Sequence, residues 1–177
     1  NAEYVSVPAR YIALKPPGIS HEEAASLPTG MLTSIRAFRD IAKLQKHQSV
    51  LINGASGAVG IYAIQLARAL GAKITAVASS KNFEFIKSLG ADKMLDYKEV
   101  DFTQLNEQFD VVFDVASTSS FNACKNILNN KGFYISTNPQ KDLPGFALAL
   151  FSSKKAGYLM AIEGSGDDLE YTNQLLE

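Results

Sequence analysis

The stretch SVLINGASGAVG, residues 49–60, decides the fold of this chain. It opens with a short β-branched run of the kind found in buried parallel strands. Its second half carries glycines at G-x-x-G-x-x-G spacing: Gly54, Gly57 and Gly60. The early glycines allow a tight turn that exposes backbone N–H groups, and the last lets the following helix, residues 58–70, pack closely on the strand. The stretch therefore predicts a strand, a phosphate-binding turn and a helix whose positive end faces a pyrophosphate.

The residues beyond this stretch alternate between strand and helix patterns. Further strands are predicted at residues 73–78, 93–96, 109–115, 132–136 and 157–162, and helices at 83–89, 120–128 and 167–177. Repeated βα units require right-handed crossovers and a parallel sheet covered on both faces. We therefore predict an α/β doubly wound parallel sheet of about six strands, a Rossmann-type dinucleotide-binding domain. Glycines that only shape a tight turn are the alternative, and the surrounding βα units weigh against it.

The first 44 residues follow a different pattern. Residues 4–15 alternate loosely, which predicts a strand and a connector. Ser20 is a candidate N-cap for a short helix that Pro28 should end, and apolar residues at helical spacing predict a second helix over 31–44. At about 150 residues per domain, 177 residues allow one domain and part of another.

Composition excludes several classes of protein. The chain is 46% hydrophobic and 20% charged, which is typical of a globular domain. With 17 basic and 18 acidic side chains and no basic stripe, nucleic acid is not expected as a main partner. The longest nearly apolar stretch, residues 144–151, is too short to span a bilayer, so no membrane association is expected. No export pattern is seen at the first residues, and a cytoplasmic location is the expectation.

Metal and disulfide chemistry is not expected either. Cys124 is the one cysteine, and two histidines, His21 and His47, accompany it. These residues do not make a ligand set for structural zinc. We interpret His21 as a surface cap, His47 as solvated and Cys124 as a buried core thiol, so no catalytic acid or base is identified.

The end of the second predicted strand indicates which dinucleotide binds. An NAD site uses an acidic residue there to accept from the ribose 2′-hydroxyl. This chain has Ser79, Ser80 and Lys81 instead. Two hydroxyls and a cation favour a 2′-phosphate, and therefore NADPH. Serines that merely cap the helix over 83–89 are the alternative.

Several motifs resemble the zinc-independent quinone oxidoreductase branch of the medium-chain dehydrogenase/reductases. They are VSVPA at 5–9, EAASLP at 23–28, LT at 32–33, the loop at 53–60, LGAD at 89–92 and DY at 96–97. The resemblance implies two domains, with residues 1–20 ending an N-terminal catalytic barrel and residues 21–177 forming the cofactor domain. It also implies a homodimer for the full-length protein.

The resemblance also implies site residues. Lys81 matches the basic residue at the 2′-phosphate, Ser79 lies in the same pocket, and Tyr97 lies against the adenosine. The diphosphate loop comprises Gly54, Ala55, Ser56, Gly57, Ala58, Val59 and Gly60. Thr33 and Thr137 match positions beside the nicotinamide, and Val115 and Ala116 match a backbone contact to its ribose. The family commonly has glycine at the position of Ser117.

These residues suggest hydride transfer, in which the cofactor carries the chemistry and the protein supplies orientation. The leading hypothesis is an NADPH-dependent oxidoreductase that acts on a quinone or an α,β-unsaturated carbonyl, whose conjugation makes a metal dispensable. An enoyl-thioester reductase of the same superfamily and a non-catalytic NADP(H)-binding interaction module are the alternatives. The apolar run at 146–151 is interpreted as either the substrate mouth or a dimer contact.

Overall fold

The centre of the computed structural model, which describes residues 3–159 and 164–176, is a six-stranded sheet. Its strands are β1 (Ser49–Asn53), β2 (Lys73–Ala78), β3 (Lys93–Asp96), β4 (Phe109–Asp114), β5 (Leu128–Ser136) and β6 (Lys155–Tyr158). The order is β3-β2-β1-β4-β5-β6, and every neighbouring pair is parallel. The predicted doubly wound α/β fold is confirmed. The strand order reverses between β1 and β4, and ligands of such sheets bind in the crevice at that point.

The helices connect the strands and cover the sheet. They are α1 (His21–Ile35), α2 (Gly60–Ala69), α3 (Phe83–Leu89), α4 (Phe121–Cys124), α5 (Leu143–Leu150) and α6 (Gly166–Leu176). Among the described residues, no helix is long and apolar enough to cross a bilayer.

The sheet is buried on both faces, and the two faces carry separate apolar clusters. Val50 and Ile52 of β1 pack with Phe38 and Ile64 on one side, whereas Leu51 belongs to the cluster on the other side. Successive strand residues point to opposite faces, so a continuous β-branched run fits a strand covered twice. This burial fixes the carboxyl ends of the strands.

Sequence and structure agree most closely at β1, β2, α3 and β3, whose bounds match the predicted ones. Gly90 ends α3 in the left-handed conformation, with φ 115°, which costs a residue without a Cβ little. The predicted helix at 58–70 is shorter than expected and begins at Gly60, because the preceding residues form the turn.

The prediction that Pro28 ends a helix is wrong. The helix α1 runs continuously from His21 to Ile35 with Pro28 inside it. Ser20 caps it as predicted, and Glu23 completes a reciprocal capping box. The following residues, Arg36–Ile41, form a π-helical turn rather than a continuation to residue 44.

The predicted strand over 4–15 is also wrong. Among the described residues this segment has no sheet partner, and its regular structure is one 3₁₀ turn, Ala9–Tyr11. Tyr4 and Leu14 are each 90% exposed. The side chain of Asn173 on α6 donates to the carbonyl of Leu14 at 2.9 Å. The domain boundary at residue 20 stays a prediction.

The second half of the sheet differs from its predicted bounds. The helix predicted over 120–128 is only α4 and a 3₁₀ turn, because Leu128 already pairs with Phe109 as the start of β5. The sequence did not predict α5, where Asp142 accepts from the amide of Gly145 as an N-cap. The strand predicted over 157–162 is centred earlier, at Lys155–Tyr158, and its residues 160–162 lie outside the described residues.

Candidate cofactor site

A cavity of about 650 Å³ lies at the carboxyl ends of β1, β2 and β4. Four residues predicted for the site line it, namely Gly54, Ser56, Tyr97 and Ala116. These residues follow three different strands, β1, β3 and β4, and the parallel sheet brings them together because all of its strands end at the same edge. The cavity is therefore the crevice at the reversal of strand order.

At two positions of the glycine loop, Gly54 and Gly60, any other residue would be strained or would clash with the backbone. Gly54 has a φ of 84°, in the left-handed region. A Cβ on Gly60 would lie 2.3 Å from the carbonyl oxygen of Gly54 and 2.7 Å from main-chain atoms of Ala55. The start of α2 therefore touches the turn directly. By contrast, a Cβ on Gly57 would meet the same oxygen at 3.3 Å, so this glycine matters less for packing.

The N-terminus of α2 fits a diphosphate. Its N-cap, Val59, provides no side-chain hydrogen bond to the first turn, and an apolar residue cannot satisfy the orphan amides there. The loop is held in place by β2, since the amides of Gly54 and Ala55 both donate to the carbonyl of Val77 at 3.1 Å. Ala58 lies in the turn just before the helix. In this first turn the amide of Ile61 donates to the carbonyl of Gly57 at 3.1 Å, and the positive end of the helix favours an anion.

The connection between β2 and α3 carries the residues predicted to bind the 2′-phosphate, Ser79, Ser80 and Lys81, which are not among the residues that line the cavity. Ser79 is 8% exposed, and its side chain caps neither the 3₁₀ turn it precedes nor α3, whose N-cap is Asn82. The capping alternative for this serine is therefore not what the structure shows. Within residues 3–159 and 164–176, Lys81 is exposed and makes no hydrogen bond or ion pair. The side-chain amide of Asn82 donates to the hydroxyl of Ser56 at 3.0 Å and ties this connection to the glycine loop.

Asp96 ends β3 beside this connection and is 6% exposed. Its two carboxylate oxygens accept from the backbone amides of Ser80 and Lys98, each at 2.9 Å. The hydroxyl of Ser80 and then these amides hold the pKa of Asp96 below its usual value, with a smaller contribution from the charge of Lys98. The carboxylate is therefore ionised and fully used inside the loop structure.

A buried polar network organises the other side of the crevice. Asp114, fully buried, accepts from the side-chain amide of Asn53 at 2.8 Å and from the hydroxyl of Tyr134 at 3.0 Å. Burial, and then the charge of Asp114, raise the pKa of Tyr134, which therefore stays a hydrogen-bond donor. The carbonyl of Asn53 accepts from the amides of Val115 and Ala116 at 3.0 and 3.2 Å. The predicted ribose contact at these two residues cannot use their N–H groups without breaking this arrangement.

Ser117 replaces the glycine of the family pattern but keeps a glycine-like conformation. Its φ is 52°, in the left-handed region that L residues seldom adopt. Its hydroxyl pairs with that of Thr137 at 3.0 Å, and Thr137 in turn is within 3.2 Å of the carbonyl of Val115. The backbone path that glycine normally provides is thus retained with a serine, and the hydroxyls fasten β4 to β5 at the crevice.

Thr33 is not brought to this cavity. It lies on α1, is 6% exposed, and its hydroxyl donates to the carbonyl of Thr29 at 2.6 Å. Its predicted role beside the nicotinamide stays a prediction, and its hydroxyl is already engaged within the helix.

Sequence reasoning missed four residues that shape the site: Asn53, Asp96, Lys98 and Thr118. Asn53 and Asp96 each occupy the last position of a strand, and Lys98 and Thr118 follow the third and fourth strands closely. That position in a doubly wound sheet is itself a usable indication of a site residue.

The residues interpreted as structural have matching surroundings. Cys124 is buried, and burial raises the pKa of its thiol to about 12. His21 and His47 are exposed. Among the residues the structure describes, no group of three or more His, Cys, Asp or Glu could hold a metal ion.

A parallel doubly wound sheet with a glycine loop at its reversal point defines a dinucleotide-binding domain. The model of the zinc-binding dehydrogenase family matches residues 58–175, and the chain belongs to this family. The resemblance to the quinone oxidoreductase branch of the medium-chain dehydrogenase/reductases is confirmed, and the family binds a nicotinamide dinucleotide.

Named relatives support the branch. The chain is 32% identical to quinone-oxidoreductase QR1, chloroplastic, of Triphysaria versicolor, over 99% of this chain and 56% of that protein. It is 36% identical to the chloroplastic NADPH-dependent alkenal/one oxidoreductase of Arabidopsis thaliana, over 64% of this chain and 30% of that protein. The solved quinone oxidoreductase of Coxiella burnetii superposes with a TM-score of 0.82 at 29% identity, covering 92% of this chain and 51% of that one. The chain thus spans about half the length, or less, of these proteins.

Proposed function

We propose that this chain is the cofactor domain of an oxidoreductase that uses NADPH to reduce a quinone or an α,β-unsaturated carbonyl. The observation that carries the proposal is the composition of the β2–α3 connection. Ser79, Ser80 and Lys81 stand where an NAD-binding domain would place a carboxylate for the ribose 2′-hydroxyl. Lys81 is exposed and uncommitted among the described residues, so its charge is available to a phosphate.

The residues of the chain would hold the dinucleotide in three parts. The glycine loop and the start of α2 would take the diphosphate, and Tyr97 at the cavity wall would lie against the adenosine. The segment from Val115 to Ser117, with Thr137 behind it, would flank the nicotinamide riboside. When bound, NADPH supplies a hydride, and the protein contributes orientation and exclusion of water.

The substrate class is proposed from the relatives and from chemistry. Two relatives are named for quinones and for alkenals and alkenones. In both substrate types a conjugated carbonyl makes the carbon that receives the hydride electrophilic.

The oligomeric state and location stay proposals. Leu150 and Phe151, at the end of α5, are 69% and 93% exposed, and β6 is an edge strand of the sheet. An exposed apolar end beside an open edge supports a contact with a second copy, although the same residues could border the substrate mouth. We therefore propose a homodimer, and the cytoplasmic location also stays a proposal.

Turnover by the intact protein tests the function. NADPH oxidation would be followed with a small naphthoquinone, with a short-chain enone and with an enoyl thioester, each against an NADH control. We expect oxidation with the quinone or the enone and much slower turnover with NADH. Turnover confined to the enoyl thioester would favour that alternative, and binding of NADPH without turnover of any substrate would favour an interaction module.

A further inference from the structure

Asp96 joins two loops that each carry an exposed lysine. One carboxylate oxygen accepts from the amide of Ser80, which precedes Lys81, and the other accepts from the amide of Lys98. The backbones that carry the two lysines are thus separated by one carboxyl group and two hydrogen bonds. Lys98 lines the cavity, whereas Lys81 is not among the cavity-lining residues and lies on the neighbouring connection that Asp96 ties to the Lys98 turn.

The pairing of β2 with β3 reinforces this bridge. Ala78 pairs with Asp96 in the parallel register, and the amide of Tyr97 donates to the carbonyl of Ala78 at 3.4 Å. The carbonyl of Asp96 also accepts from the amides of Glu99 and Val100, at 3.0 and 2.9 Å. One residue therefore fixes the end of β2, the end of β3 and the turn that follows.

The charges around Lys98 are mixed. Lys98 lines the cavity together with Glu99 and Asp101. Asp101 is already engaged, since one of its oxygens accepts from the amide and the hydroxyl of Thr103 at 3.0 and 2.7 Å. Within the described residues, neither Lys81 nor Lys98 forms an ion pair, so both remain available to an anionic ligand.

We propose that Asp96 is a positioning residue that sets Lys81 and Lys98 as a two-lysine clamp for the 2′-phosphate of NADPH. The proposal rests on the proposed NADPH-binding function. The carboxylate of Asp96 does not bind the phosphate itself, because both groups are anions. It acts through the two backbones that it holds.

This geometry gives a test in which the sign of the effect is decisive. Asp96→Asn removes a negative charge beside the phosphate, which by itself would tighten binding. It also leaves only one acceptor oxygen for two amides, which would release one of the two loops. We expect weaker binding of 2′,5′-ADP, by about tenfold, and unchanged binding of 5′-AMP, since these probes differ only in the 2′-phosphate.

A second variant tests the cation directly. Lys98→Gln removes the charge of an exposed side chain and should also weaken the binding of 2′,5′-ADP by about tenfold relative to the binding of 5′-AMP. Lys87→Gln is the matched control, because Lys87 is an exposed lysine on α3 that does not line this cavity. The ratio of the two dissociation constants measured for Lys87→Gln should equal that of the wild type at the same ionic strength.

The experiment is calorimetric titration of the intact wild-type protein and the three variants with 2′,5′-ADP and 5′-AMP. Selective loss of 2′,5′-ADP binding in Asp96→Asn and Lys98→Gln supports the clamp. Tighter 2′,5′-ADP binding by Asp96→Asn, equal loss of both probes, or a Lys98→Gln ratio like the wild type's overturns it. If Asp96→Asn does not fold, the Lys98→Gln ratio decides alone. A wild type that binds both probes equally would overturn the proposed NADPH function together with the clamp, whereas a wild-type preference retained in both variants overturns the clamp alone.

Discussion

Replacing Gly60 with alanine tests the construction of the glycine loop. The new Cβ would lie 2.3 Å from the carbonyl oxygen of Gly54 and 2.7 Å from two main-chain atoms of Ala55, where ordinary contact begins at 3.4 Å. Because these neighbours are backbone atoms, the start of α2 must move away from the turn by about an ångström. Overpacking of this kind costs about 1–3 kcal/mol.

A helix-propensity gain offsets part of that cost. Alanine is favoured over glycine by up to about 1 kcal/mol inside a helix, but Gly60 is the first residue of α2, where the gain is smaller. We expect the free energy of unfolding of Gly60→Ala to fall by about 2 kcal/mol. Displacement of the loop should also weaken the binding of NADPH and of NADH to the same extent, since both dinucleotides contain the diphosphate.

Gly57→Ala is the matched control in the same loop. Its Cβ would meet the oxygen of Gly54 at 3.3 Å, which small adjustments relieve. Its stability should stay within about 0.5 kcal/mol of the wild type, although a methyl group where the backbone approaches the pyrophosphate should weaken dinucleotide binding. Urea denaturation and dinucleotide titration measure the two effects. A Gly60→Ala variant as stable as the wild type, or less destabilised than Gly57→Ala, would show that the start of α2 does not pack against the turn in this way.

Three further predictions concern other parts of the site and core. Lys81→Ala should weaken the binding of NADPH by about 1.5–3 kcal/mol more than the binding of NADH. Equal weakening of the two in a fluorescence titration would mean that the 2′-phosphate binds elsewhere. Ser117→Gly should be more stable than Ser117→Ala by about 1 kcal/mol, because both lose the hydroxyl but only glycine relieves the φ of 52°; urea denaturation showing alanine to be the more stable would contradict this. The thiol of Cys124, with its pKa raised by burial from 9.0 to about 12, should resist a thiol reagent at pH 8 until the protein unfolds. Fast labelling of the native protein would contradict the burial of this thiol. Because the pKa of the thiol is higher in the folded state than in the unfolded state, its contribution to stability is complete below about pH 9 and declines as the pH rises toward about 12.

Local chemistry alone predicted the first half of the sheet well. The segments of β1, β2, α3 and β3 are short, apolar on the expected faces and closed by turn residues such as Gly71 and Gly90. Both glycines adopt positive φ, so their position in the sequence marks where an element must end.

Errors arose where tertiary contacts override local preference. Pro28 normally marks the end of a helix, yet α1 continues through it and buries Gly30 and Met31 against the domain. Likewise Leu128 follows helically spaced residues, but its pairing with Phe109 makes it the start of β5. Neither contact can be read from residues nearby in the sequence.

The candidate site was only partly predictable. Motif spacing placed the glycine loop and Lys81, because these features are local. The bridge made by Asp96 depends on β2 and β3 ending side by side, and Asp114 acquires its partners from β1 and β5 through the strand order. Ser117 stands where the family commonly has glycine, and the sequence did not predict that this serine would adopt the left-handed conformation and add a hydroxyl contact.

The preference of this domain for NADPH is tested by the ratio of the dissociation constants for NADH and NADPH, measured side by side on the intact protein at one ionic strength. A charge-assisted contact from Lys81 alone predicts NADPH to bind about tenfold or more tightly. Equal affinities or tighter binding of NADH would show that Lys81 does not select NADPH, and no binding of either dinucleotide would show that this is not a functional cofactor domain.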